Sequence, residues 1–179
     1  MARNKNALRG HFIQEYTPGQ DEPGEEWLEL AHYISNIAME PNETTEEEAF
    51  YDGDGTLEET VTGVARAYSP EGHFDPEDPA QALIESLQDE VGDKRIVWHR
   101  VVRSDGKKEW VGPATVLNII AGAGEASAYE TFSCTIRFKE KPKEIDLDSG
   151  GGGSAQTVGV SKVLSADEDN KAVTTSDKK

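Results

Sequence analysis

Seven carboxylates lie within residues 46–61, and their types and spacing suggest chemistry more strongly than any other part of the sequence. The stretch reads EEEAFYDGDGTLEETV, contains no Lys or Arg, and has Asp-Gly-Asp-Gly at its centre. Clustered carboxylates of this kind can bind calcium, whereas Asp alternating with Gly is also typical of a tight turn. The spacing of the oxygen ligands distinguishes the two interpretations.

The calcium interpretation fails on that spacing. An EF-hand loop requires oxygen ligands at positions 1, 3 and 5, Gly at position 6 and Glu at position 12. A loop that starts at Asp52 has Leu57 at the glycine position and Gly63 at the last position. The pattern therefore favours a turn, because Gly accepts positive φ angles and Asp hydrogen-bonds to its own backbone. We predict no metal and no cofactor here, and we assign a loop tip to Asp52, Gly53, Asp54 and Gly55.

The other reactive residue types form no catalytic pattern. The four histidines are scattered and have no metal-ligand spacing: His11, His32, His73 and His99. The single cysteine, Cys134, excludes an intrachain disulfide and a multi-cysteine metal site. No serine has the context of a nucleophile elbow. The sequence therefore predicts a protein that is not an enzyme.

The distribution of charge excludes one further class of function. The formal net charge is −17, and residues 15–59 contain fifteen Asp or Glu and no Lys or Arg. A nucleic-acid-binding protein needs cations that displace counterions from phosphates, so this composition argues against one. Acidic surfaces also keep proteins dispersed, which is the simplest interpretation of the charge. Without an apolar leader or an apolar run of membrane-spanning length, the chain is expected to be soluble and to enter no membrane.

The elements around the acidic stretch are predicted to be mainly β. Residues 1–26 are rich in Pro and Gly and are predicted to form an N-terminal arm. Residues 27–40 fit a helix or a strand, and their context favours a strand. Residues 47–51 and 57–68 are predicted to be extended, because Thr and Val alternate before Tyr68.

One helix has clear signals at both ends. Asp78 is a good N-cap, Pro79 occupies the first helical position, Gln81 completes a capping box, and Gly92 favours termination. Apolar residues recur at spacings of three and four and form one face. These signals predict a helix over about residues 79–90.

Three strands are predicted after the helix. Residues 94–102 and 108–121 flank an Asp-Gly turn at 104–107, which indicates a β-hairpin. Residues 128–140 alternate, so that one face is predicted to be buried by Phe132, Cys134, Ile136 and Phe138. We place a β-rich domain at 27–145, followed by a Gly/Ser linker and C-terminal extension at 146–179. One helix and strands that are half apolar predict a β-sandwich or a rolled sheet.

Four segments, in this order along the chain, resemble a known family. They read FIQEYTPGQDEPGEEWLELAHYIS, AFYDGDGTLEETVTGVARAYSPEGHFDPEDPAQALI, RIVWHRVVRSDGKKEWVGPATVLNIIAG and FSCTIRFKEKPKE. Together they resemble the major tail protein, or tail tube protein, of phages with long, non-contractile tails that infect Gram-positive bacteria. The resemblance covers roughly residues 8–145 and includes no catalytic motif.

The resemblance implies a structural role in the virion tail, with assembly in the host cytoplasm. Subunits of this family form hexameric rings that stack into a tube, and their strands form a continuous barrel around the lumen through which DNA passes. The helix lies outside, while an N-terminal arm, a long loop between early strands and a C-terminal segment contact neighbouring rings. The implied partners are other copies of the chain and the tape measure, terminator and distal tail proteins.

In such a tube the acidic residues have two alternative locations. A carboxylate-lined wall repels DNA within about 8–10 Å, whereas basic side chains would bind phosphates and retain the strand. We therefore predict that part of the acidic segment lines the lumen or its approach, with the candidates Glu43, Glu46, Glu47 and Glu48. The alternative is the outer surface or a loop between rings, since charged runs usually face solvent. The turn at Asp52–Gly55 is predicted to contact the next ring.

Two other functions stay open on the sequence. A tail terminator or distal-tail hub protein of the same fold would form a single ring without filament growth. An acidic module that binds carbohydrate or calcium would need clustered exposed aromatic residues or a complete ligand loop. The three tryptophans, Trp27, Trp98 and Trp110, are dispersed and indicate no such platform.

Overall fold

The computed structural model describes residues 3–52 and 54–147, and these residues are mainly β. Eight strands join one sheet, and two further strands form a separate hairpin. The strands are β1 (Gly10–Glu15), β2 (Leu28–Glu29), β3 (Ile34–Glu40), β4 (Glu43–Ala49), β5 (Leu57–Val64), β6 (Ala67–His73), β7 (Ile96–Val102), β8 (Lys108–Ala123), β9 (Thr131–Phe138) and β10 (Lys143–Asp146). The one α-helix of the described part is α1, Pro79–Ser86. The prediction of a mainly β chain with one helix is confirmed.

The main sheet is antiparallel and curls into half a barrel. Its strands lie in the order β2-β1-β7-β8-β9-β6-β3, and β10 pairs with the first residues of β8. β7 and β8 form the predicted hairpin, with Ile96 opposite Thr115 and Val102 opposite Glu109. The turn between them contains Gly106 at a φ of 69°, a conformation that favours glycine.

The core lies between one face of the sheet and α1. The predicted alternation of β9 is confirmed, because the buried residues of this strand are Phe132, Cys134, Ile136 and Phe138. The helix adds Ala80 and Ile84, both fully buried. Burial raises the pKa of the Cys134 thiol to about 12, so this cysteine stays protonated and acts as a small core residue.

The helix begins as predicted and ends earlier. The Asp78 carboxylate accepts a hydrogen bond from the backbone N–H of Gln81 at 2.9 Å, which caps the helix. The Gln81 side chain does not complete a capping box: its amide accepts from the backbone of Asp75 and donates to the carbonyl of His32 at 2.7 Å. The helix ends at Ser86 because the next backbone bond, Leu87 to Ile84, spans three residues and tightens the chain into turns.

The predicted N-terminal arm is wrong for residues 10–15. These residues form β1, which pairs with β7 along its whole length and with β2 on its other side. Ile13 is fully buried, so the strand belongs to the core. The flanking Pro and Gly residues obscured a short strand in which buried and half-buried positions alternate. Most of the predicted C-terminal extension, from residue 148 to 179, lies outside the described residues.

Two further predicted segments are divided in the structure. Residues 27–40 form two strands, as the strand interpretation requires, with a break at Tyr33, whose φ is 53°. A glycine is needed opposite this break, because a Cβ on Gly72 would lie 2.1 Å from the Tyr33 carbonyl oxygen. The predicted extended segment 57–68 is shared between β5 and β6. β4 starts earlier than predicted, at Glu43.

Candidate functional site

The acidic stretch forms a two-stranded hairpin that is separate from the main sheet. β4 and β5 pair with each other from Glu43 opposite Val64 to Ala49 opposite Leu57. All residues of both strands are exposed except Gly63, which is half-buried. At the base, Asn42 fixes the hairpin by accepting the N–H of Ala65 and donating to the carbonyl of the same residue at 3.1 Å.

The pleat of the hairpin separates two chemically different faces. Successive side chains of a strand point to opposite faces, so the register assigns each residue to one side. The acidic face carries three carboxylates and two threonines: Thr44, Glu46, Glu48, Glu58 and Thr60. The mixed face carries apolar side chains together with three carboxylates and a threonine: Glu43, Thr45, Glu47, Ala49, Leu57, Glu59, Val61 and Val64. On the mixed face, Leu57, Val61 and Val64 are 59%, 52% and 64% exposed, so this face has uncovered apolar side chains among its carboxylates.

Like charges lie directly opposite each other near the tip. Glu47 pairs with Glu59 on the mixed face, and Glu48 pairs with Glu58 on the acidic face. Like charges at opposite positions of a sheet destabilise the pairing, and an isolated two-stranded hairpin has only marginal stability in water. Within the described residues, none of these four carboxylates forms an ion pair. A cationic partner would therefore stabilise the hairpin.

The tip forms the turn that its Asp-Gly pattern predicts. Asp54 has a φ of 60° and Gly55 a φ of 76°, both in the left-handed region that such turns use. Gly53 lies outside the described residues. The preceding residues, Phe50 and Tyr51, have exposed aromatic side chains, and that of Tyr51 is fully accessible to solvent. The tip therefore presents two rings in addition to its carboxylates.

Both ends of the main sheet are open. β3 pairs with β6 on one side and with no other described strand, while the opposite end is β2, a strand of two residues that leaves most of β1 uncovered. A strand at the edge of a sheet has unpaired backbone N–H and C=O groups that can pair with another chain.

A basic groove lies where the hairpin joins the main sheet. It has a volume of about 440 Å³ and is lined by Arg66, Trp110, Lys141, Pro142, Lys143 and Glu144. The Arg66 guanidinium stacks over the Trp110 ring, 5.4 Å from its centroid. Glu144 is already engaged: it accepts hydrogen bonds from Lys108 and from the Trp110 indole N–H at 3.1 Å. Within residues 3–52 and 54–147, Arg66, Lys141 and Lys143 form no ion pair, so the base groove carries excess positive charge.

Two of the scattered histidines meet in the core. His11 Nδ1 and His99 Nε2 lie 3.4 Å apart, with the His99 ring stacked on Phe138. Burial and the nearby Arg9 lower the pKa of His11 to about 4, and burial and His11 lower the pKa of His99. Since Nδ1 of His99 has no partner in the described residues, the tautomer with its proton on Nε2 is favoured and donates to His11. Both rings are buried and neutral, so their role is to pack in the core.

The described residues contain no group of three or more His, Cys, Asp or Glu side chains arranged to bind a metal ion. Within the same residues, no helix has the length and apolar character to cross a membrane. The candidate interaction site is the hairpin together with the groove at its base.

Chains of two solved structures share this fold. A chain from the tail of an empty gene transfer agent particle, with C6 symmetry, has a TM-score of 0.57 at 16% identity, over 79% of this chain and 98% of that chain. A chain from the virion of a native gene transfer agent particle has a TM-score of 0.56 at 14% identity, over 80% and 99% of the two chains. At these identities the likeness shows the fold. No protein-family model matches the chain, and no curated protein sequence is significantly similar to it.

The structure places all four candidate lumen residues on β4, but on two faces. Glu46 and Glu48 lie on the acidic face, and Glu43 and Glu47 lie on the mixed face. Glu58 was not among the residues predicted from the sequence, because only the pairing of β5 with β4 places it on the acidic face. The base groove was missed entirely, because its residues come from three separated segments. The pairing of β10 with β8 brings Lys143 and Glu144 beside Trp110, and the pairing of β6 with β9, extended by the backbone bond from the Phe138 N–H to the Arg66 carbonyl, brings in Arg66.

Proposed function

We propose that this chain is the tube subunit of a phage-like tail, in which six copies form a ring and the rings stack into a conduit for DNA. The observation that carries the proposal is the fold, shared over 98% of a chain from a tail of C6 symmetry. The proposed role is structural and includes no catalytic step.

The open sheet edges support ring formation. A curled sheet with β3 exposed at one end and β1 largely exposed at the other can be completed by neighbouring copies. Six such sheets joined edge to edge would form a continuous barrel, which removes the unpaired edges that otherwise promote aggregation. A contact of this head-to-tail type closes into a ring when its rotation fits a whole number of copies.

The hairpin supports contact between rings. Its strands make no extensive contact with the main sheet, and the apolar side chains of its mixed face are uncovered. We assign to this hairpin, and to its tip at Asp52, Asp54 and Gly55, contact with the next ring. An element that folds marginally by itself gains its stability from such a contact.

The two faces of the hairpin reduce the number of acidic residues that can line the lumen together. Glu46 and Glu48 share a face with Glu58, whereas Glu43 and Glu47 point to the opposite side. We propose that the acidic face looks toward the lumen and repels DNA phosphates, while the mixed face contacts protein. Basic residues at the same positions would bind phosphate and hold the DNA.

The ordered sequence segments support a more specific assignment. They resemble the tail tube proteins of phages with long, non-contractile tails that infect Gram-positive bacteria. On that basis we propose a location in the virion tail after assembly in the host cytoplasm. The proposed partners are the tape measure, terminator and distal tail proteins.

Negative-stain electron microscopy of the purified full chain tests this function. We expect six-fold rings about one subunit deep or tubes made of such rings, and a sedimenting mass that is a multiple of six chains. A chain that stays monomeric at high concentration overturns the proposal. Single rings that never lengthen favour a terminator or distal-tail hub protein instead.

A further inference from the structure

We propose that the base groove is the receptor for the hairpin of a second copy of this chain, which inserts its mixed face there. The inference rests on the proposed function, and it names the two surfaces that join successive rings.

The groove has the chemistry of a receptor for an acidic and partly apolar segment. Lys141 and Lys143 are exposed and without an ion pair in the described residues, and Arg66 is held over the Trp110 ring. The ring and Pro142 supply an apolar floor, since a Trp face combines contact area with the attraction of a cation. The one carboxylate in the lining, Glu144, is occupied by Lys108 and by the Trp110 N–H. A ligand that matches this groove must therefore carry carboxylates for the basic rim and apolar side chains for the surface below it.

The mixed face of the hairpin has that arrangement. Leu57 and Val61 present uncovered apolar side chains, and Glu47 lies opposite Glu59 beside them with no cation in reach. Each of these carboxylates is destabilised by the other until a positive charge approaches. Insertion of this pair between the two lysines would relieve the repulsion in the hairpin and neutralise the groove at the same time.

The ligand must come from another copy. Arg66 follows β5 closely, whereas Glu59 lies seven residues earlier, roughly 23 Å away along an extended strand. The hairpin projects away from its base, so its own tip cannot turn back into its own groove. A tip that fits the base of the next copy is a heterologous contact, and such a contact repeats without limit when it does not close. This geometry produces a growing stack.

Paired charge reversals test the inference. Glu47→Lys with Glu59→Lys keeps a like-charge pair in the hairpin but removes its match to the groove. We expect this variant to raise the critical concentration for tube growth at least about tenfold. Lys141→Glu with Lys143→Glu in the groove should have the same effect. The variant that carries all four substitutions should regain tubes, because the complementary pair is restored in reverse.

The matched control lies one residue away on the opposite face. Glu48→Lys with Glu58→Lys makes the same change in charge on a directly opposed pair, and it should leave tube growth unchanged. If wild-type protein forms no tubes, the proposed function has failed. If wild type and all variants form tubes equally well, the function stands and this contact is overturned. Failure of the four-fold variant to recover, when both double variants lose growth, also overturns the pairing.

Cysteine crosslinking gives a readout that does not depend on the folding of charge variants. Oxidation of tubes that carry Glu59→Cys and Lys141→Cys should give a ladder of covalent oligomers, and Glu58→Cys with Lys141→Cys should give none. Cys134 is buried and does not interfere. A monomer without a ladder overturns the inference. Truncation after Leu147 should leave the ladder unchanged. A ladder that appears only after this truncation would assign the groove of the full chain to the C-terminal segment and overturn the proposal.

Discussion

At the scale of single residues, the core contains a pair of groups that would be unfavourable if charged. His11 and His99 lie within hydrogen-bonding distance of each other and are surrounded by Tyr68 and Phe138, with no carboxylate among their ring and hydrogen-bond contacts. A buried imidazole without a carboxylate partner is stable only in its neutral form. The sequence alone did not reveal this pair, because the two residues meet only through the register of β1 with β7.

This pair predicts that the free subunit becomes less stable in mild acid. The pKa of His11 is about 4 in the folded chain against 6.5 when unperturbed, so the unfolded state binds more protons between these values. The free energy of unfolding should therefore fall as the pH decreases through this window, by about 2 kcal/mol between pH 7 and pH 5 for His11 alone. Urea unfolding at several pH values measures the slope. His11→Gln should reduce this slope, whereas substitution of the exposed His73 should not, and equal slopes would contradict the assignment.

At the scale of elements, local chemistry predicted much of what the structure contains. The start of α1 followed from Asp78 and Pro79, and the β7–β8 hairpin followed from an Asp-Gly turn between β-branched segments. β1 was missed because the strand has only six residues, and because the surrounding Pro and Gly residues resemble those of a linker. The independence of the β4–β5 hairpin was not predictable, since alternation in a strand does not show whether a face has a partner.

The place of β1 predicts how the chain tolerates N-terminal truncation. Removal of residues 3–9 takes away exposed or half-buried positions and should leave the melting temperature nearly unchanged. Removal of residues 3–15 takes a strand from between β2 and β7 and exposes the core at Ile13, so it should prevent folding. Circular dichroism and thermal melts of the two truncated chains provide the measurement. A folded product of the longer truncation would show that β1 is dispensable.

Removal of the hairpin should have a different effect: the chain should still fold but should no longer assemble. Replacing residues 43–64 by a short Gly/Ser loop removes strands that pair only with each other, so the main sheet should keep its stability within about 1 kcal/mol. Growth of tubes should be lost, because the proposed contact between rings is gone. Thermal melts and electron microscopy of the same sample test both parts. A large loss of stability would mean that the hairpin packs on the sheet, and tubes that still grow would remove it from the contact between rings.

At the scale of the whole molecule, the surfaces that suggest assembly are those without a partner in the described part of the chain. An open sheet edge, an uncovered hairpin face and a groove with excess positive charge each require a partner, and copies of the same chain can supply all three. The sequence indicated the surplus of negative charge. It did not show where positive charge gathers, because Arg66 and Lys143 are distant in sequence and meet at Trp110 only through the pairing of β6 with β9 and of β10 with β8.

The acidic face then predicts how an assembled tube treats DNA. On the proposal that this face lines the lumen, its carboxylates would repel phosphates within about 8–10 Å in ordinary salt, so wild-type tubes should retain no short DNA. Tubes that carry Glu46→Lys, Glu48→Lys and Glu58→Lys should bind labelled DNA, and the binding should weaken steeply as salt is raised because counterions are released. Fluorescence anisotropy measures both properties. Glu22→Lys, Glu25→Lys and Glu26→Lys make the same change in charge outside the hairpin, and the two sets of tubes should differ in DNA retention. Equal retention would mean that the acidic face of the hairpin does not look into the lumen.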